Sequence, residues 1–103
     1  MANYANISEV LTNKCNNAAL KVESLEMVIN EITQPTVLEL EKRYINGEDV
    51  GEALDEAYEA HDKAFSKLEE RRIILEEYTK ARELYLEALK HVERANNYEV
   101  YGF

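Results

Sequence analysis

The stretch Tyr44-Ile45-Asn46-Gly47-Glu48-Asp49-Val50-Gly51-Glu52 decides the fold. Asn46-Gly47 suits the left-handed end of a helix, because glycine enters that conformation without a Cβ clash. Asp49 suits the start of another, with Glu52 three residues on to complete a capping box. A helix therefore stops and a second starts within a few residues, and so short a connection makes antiparallel neighbours.

Upstream of the turn, apolar residues recur as Leu11, Cys15, Ala18, Val22, Leu25, Ile29 and Ile32, at spacings of four and three. That spacing is one stripe of a helix, opened by Asn6 and Glu9 as another capping pair. Past Pro35 the stripe resumes at Val37, Leu40 and Tyr44, displaced by one residue or about 100°. Proline lacks the N–H and crowds the preceding turn. A first arm over about 7–46, kinked or broken at Pro35, is expected.

Downstream, no proline occurs, and Gly51 precedes a run rich in Ala, Leu, Glu, Lys and Arg. These are strong helix formers, and they predict one helix over about 50–95, roughly 70 Å long. Its early stripe is Val50, Leu54, Ala57, His61, Ala64 and Leu68. A later one is Ile74, Tyr78, Ala81, Tyr85, Ala88, Val92 and Ala95, offset across Glu69 to Arg72. The competing arrangement has two helices broken near Arg71. The fold class is all-α: an antiparallel helical hairpin in a single domain, assembling into a helical bundle. A monomeric three-helix bundle with 36–46 folded back is the alternative.

Composition narrows the function. The chain has 103 residues, 21 Asp+Glu against 12 Lys+Arg, a net charge of −9 and 46% hydrophobic residues. So many apolar side chains exclude a disordered acidic tail. A lone Cys15 excludes a disulfide scaffold and reads as a small buried hydrophobe. No apolar run reaches the length of a membrane span, and no signal peptide is evident. Direct nucleic-acid binding is not expected at this charge. These features predict a cytoplasmic protein without a cofactor.

Chemical motifs are sparse. Di-iron bundles need Glu-x-x-His, but Tyr58 and Ala88 stand three residues before His61 and His91. Glu23 and Glu26, with Glu52 and Asp55, resemble the metal-binding helices of all-α nucleoside triphosphate pyrophosphohydrolases, in which Mg²⁺ orders phosphates and activates water. That resemblance implies an alternative enzymatic function. Tyr44-Ile45-Asn46-Gly47 is only loosely similar to the Trp-x-Gly turn of one class of secreted helical hairpins, and membership is not adopted.

Interaction is the main expectation. Leu20 and Met27 fall nearly opposite the Val22/Leu25/Ile29 stripe, and Ile73, Leu84 and Leu86 fall off the second stripe. They suggest a further buried face and a homo-oligomer, most simply a dimer. Residues 48–62 hold seven acids, among them Glu52, Asp55, Glu56 and Glu59, and no Lys or Arg. Such a patch suits a basic protein surface. The tail residues Tyr98, Tyr101 and Phe103 are expected to dock on a helical surface. The chain thus reads as a non-enzymatic adaptor, inhibitor or assembly factor. In composition it resembles phage or mobile-element accessory proteins.

Overall fold

A computed structural model describes residues 4–101, with side chains described for 7–95. The chain is an all-helical antiparallel hairpin. α1 spans Tyr4–Val28, a π-helical turn spans Ile29–Thr33, α2 spans Gln34–Ile45 and α3 spans Gly51–Tyr101. The hairpin measures 83 × 22 × 16 Å. The backbone of α3 continues six residues past the expected end near 95. The expected docking of Tyr98, Tyr101 and Phe103 lies outside the described side chains.

The turn follows from its residues. The Glu48 N–H donates to the Arg43 carbonyl (3.0 Å) and the Gly47 N–H to the Tyr44 carbonyl (3.0 Å). This pair of bonds is a Schellman motif, with Gly47 at the left-handed position, φ +88°. The apolar contact that usually accompanies it is replaced by an ion pair, Arg43 Nε to Glu48 Oε2 at 3.2 Å. Arg43 thus bonds forward across the turn. The first helical bond of α3 runs from the Leu54 N–H to the Val50 carbonyl (2.8 Å). Val50, rather than Asp49, therefore occupies the cap position.

The first arm is interrupted before Pro35, and the π turn explains the phase shift. The Gln34 N–H bonds the Ile29 carbonyl, five residues back. One extra residue is thereby held in the turn, and the following helix is rotated by about 100°. Buried Ile29 and Val37 stand eight residues apart where a heptad would place them seven apart, with half-buried Thr33 between. Ile32, expected on the stripe, is turned out to 59% exposure. Pro35 occupies the first turn of α2, where its missing N–H is tolerated. α2 prolongs the first arm along α3, so the folded-back three-helix bundle does not form.

The second arm is one helix, with no break near Arg71. Its inward line is also unbroken: Val50, Leu54, Ala57, His61, Ala64, Leu68, Arg71, Leu75, Tyr78, Arg82, Tyr85 and Leu89 are all buried or half-buried. The spacings alternate four and three throughout, the pattern of a left-handed coiled coil. The expected offset stripe is therefore corrected: Ala81, Ala88, Val92 and Ala95 are exposed, and Arg71 and Arg82 fill seam positions. The tightest packing joins Val22, Ile29 and Leu68, flanked by Leu25, Ala64 and Leu75. Cys15 is half-buried.

Polar contacts hold the arms in register. Arg82 Nε donates to Thr12 Oγ1 at 2.9 Å, Arg72 meets Glu26 at 3.1 Å, and Tyr58 Oη donates to Glu41 at 2.9 Å. Thr33 Oγ1 and His61 Nδ1 lie 2.9 Å apart, and the His61 ring sits edge-on to Phe65 at 5.0 Å.

Candidate interaction faces

The seam divides the hairpin into two flanks of opposite character. On one flank of α3, Asp55, Asp62, Glu69, Glu76 and Glu83 repeat every seven residues and are all exposed. Heptad spacing places them in one row along the rod. On this flank Arg72 is taken up by Glu26. The Tyr58 hydroxyl is also here; its bond to Glu41, then desolvation and the charges of Glu41 and Asp55, raise its pKa above the ordinary 10.0. Carboxylates around a phenol disfavour the phenolate.

The other flank carries a basic groove between the arms. One hollow of about 280 Å³ is lined by Lys14, Asn17, Ala18, Lys21, Arg71, Ile74 and Tyr78. It shares Lys21 and Arg71 with a second, of about 400 Å³, lined also by Leu20, Ser24, Leu25 and Lys67. Among the described residues, no carboxylate lines either hollow. Lys14 Nζ rests 5.6 Å from the Tyr78 ring centroid, a favourable cation–π contact. Lys67 has an exposed pairing with Glu70 at 3.5 Å. Among the described residues, Lys21 and Arg71 make no ion pair, although Arg71 is half-buried in the seam. Nearer the turn, a smaller apolar hollow of about 110 Å³ is lined by Ile32, Thr33, Thr36, Ala57 and Ala60.

The residues singled out in the sequence are distributed differently. Leu20 lies at the rim of the basic groove, and Leu84 is exposed beyond it toward the open end. Met27 and Ile73 are exposed on the backs of different arms, because each lies near the side of its helix opposite the seam. The apolar set therefore does not form one continuous face. The acids do cluster: Glu52, Glu56 and Glu59 point outward or to the groove flank near the turn, and Asp55 opens the acidic row. The basic groove escaped sequence reading because its cations come from two arms, Lys14 and Lys21 from α1, Lys67 and Arg71 from α3. A usable signal was Arg71, which falls on the seam spacing.

The proposed metal carboxylates are not assembled. Glu26 is bonded to Arg72, twenty residues along α3 from Glu52, or about 30 Å of helix. No group of three or more His, Cys, Asp or Glu suited to a metal ion occurs among the described residues. No helix among them is long and apolar enough to cross a membrane. Comparison of the chain with protein-family models, curated proteins and solved structures returns no match.

Proposed function

We propose that this chain is a non-enzymatic protein–protein interaction module, an adaptor, inhibitor or assembly factor, which self-associates and engages a basic partner surface through its acidic flank. The observation that carries this reading is the exposed surface of the hairpin. It exposes 8087 Å², whereas a compact chain of its 11.9 kDa exposes about 5,900 Å². Its radius of gyration is 23.3 Å, against about 13 Å for a compact domain of this length. Among the described residues, the buried apolar core is limited to Ala18, Val22, Ile29, Val37, Leu54 and Leu68. Leu20, Met27, Ile32, Leu38, Ile73 and Leu84 meanwhile stand more than half exposed. Two helices have one neighbour each, and a second layer is the ordinary way to bury what remains.

The acidic row supports the partner's sign. Five carboxylates in register produce a field that attracts and orients a basic surface and repels nucleic acid. Light scattering coupled to sizing at micromolar concentration tests self-association: a mass of at least twice 11.9 kDa is expected, and a clean monomer would remove this part of the reading.

A further inference from the structure

We infer that the basic groove is the seat of a second copy of this chain, entered by the acidic segment next to its turn. The inference rests on the self-association proposed above and names the surfaces. Three observations carry it.

The first is charge complementarity within one sequence. The groove gathers Lys14, Lys21, Lys67 and Arg71, with no lining carboxylate among the described residues. Residues 48–62 of the same chain hold seven acids and no Lys or Arg. In a chain of net charge −9, this groove is a local region of the opposite sign.

The second is register. Glu52 and Glu56 are four residues apart, as are Lys67 and Arg71. When two α3 helices lie antiparallel, Glu52 of one comes level with Arg71 of the other, and Glu56 with Lys67. A two-fold contact on the groove flank then forms the Glu56–Lys67 pair twice, because residue i meets j and j meets i, with Glu52 level with Arg71 at its rim.

The third is what lies on that axis. Pairing 52 with 71 and 56 with 67 puts the two-fold near residues 61 and 62 of α3. Thr33 bonds His61 across the hairpin, so Ile32 stands at this level. Ile32 is exposed and lines the small hollow with Ala57 and Ala60. An apolar residue over small side chains at the axis, flanked by opposite charges, is the arrangement of an interface with a polar rim.

Salt alone is a poor test, since it screens the local attraction and the repulsion between two acidic chains alike. Charge reversal is decisive. Two variants of the full chain, Lys67→Glu/Arg71→Glu and Glu52→Lys/Glu56→Lys, are examined by sedimentation velocity, with circular dichroism to establish that each remains helical. Each alone should be monomeric at concentrations where the wild type is dimeric, with dimer affinity weakened at least tenfold. An equimolar mixture of the two should dimerise again, because each then meets the opposite sign at both contacts. A wild-type dimer that persists in both variants overturns this interface but leaves self-association standing. A monomeric wild type overturns both.

Discussion

Single side chains differ in what their removal should do, and burial and hydrogen bonding set the order. Leu68 is 3% exposed and packs against Val22 and Ile29. Its truncation to Ala should cost about 2–5 kcal/mol, because neighbours on only two helices cannot refill the cavity; urea denaturation gives the value. Thr33→Val keeps the shape but removes the partner of half-buried His61. That should cost about 1 kcal/mol. Tyr58 is the case for pH. Its pKa is raised above 10.0, first by the hydrogen bond to Glu41. A group whose folded pKa is raised contributes stability that is present below the unfolded value and lost as pH rises through the folded one. The bond should therefore persist through neutral pH and fail only in alkali above 10. The difference in phenolate absorbance between wild type and Tyr58→Phe should show a component titrating above 10.0, and one at or below that value would refute the environment described for it.

At the scale of the element, the π turn is the feature that lets the first arm keep its seam. One residue too many separates Ile29 from Val37, and the wide turn absorbs it ahead of Pro35. Deleting exposed Asn30 restores the heptad count but places Pro35 within a regular helix, where it costs about 3 kcal/mol. Deletion of Asn30 alone should therefore lower the melting temperature. Adding Pro35→Ala to the deletion should bring it back to the wild-type value or above. Deleting Asn16, in a regular stretch, should be destabilising with or without Pro35→Ala, because it throws Ser8, Leu11 and Cys15 out of phase with the rest. Equal behaviour of the two deletions would show that the π turn is not a stored insertion. This element also marks how far the sequence was legible. The hairpin followed from Asn46-Gly47 and from four-three spacing, both local signals. The one-residue phase change beside Pro35 was visible too; that it takes the form of a π turn in the residues just before the proline was not. On α3 the unbroken seam is not legible as a hydrophobic stripe, because charged Arg71 and Arg82 fill two of its positions. Their long stems nonetheless cover seam positions. The basic groove was beyond local reading altogether, since it exists only when Lys21 and Arg71, fifty residues apart, are brought together by antiparallel pairing.

For the whole molecule, the two-fold proposed at residues 61 and 62 of α3 fixes the outline of the assembly. The axis lies about fourteen residues, or roughly 20 Å, from the turn and about forty residues, roughly 60 Å, from the open end. Two hairpins related by it overlap only over their turn-proximal halves, on the order of 40 Å. With a width near 20 Å, each copy covers about 800 Å², the half-share of a standard interface. The particle should then be about 120 Å long, whereas two hairpins overlapping fully, as in a closed four-helix bundle, would stay near the single-hairpin length of 83 Å. Small-angle scattering separates the two, since the largest distance in the particle differs by roughly half. The staggered form also leaves the open arms uncovered, and with them Leu84 and the outer acids Glu76 and Glu83. A basic partner would find those acids repeated on two arms of one dimer, and two linked sites bind more tightly than one when geometry lets both engage. Reversing Glu76 and Glu83 to Lys should leave the 120 Å dimer intact while repelling such a partner. If scattering shows that reversal dissociating the dimer, the arms themselves form the interface, and the staggered arrangement is wrong.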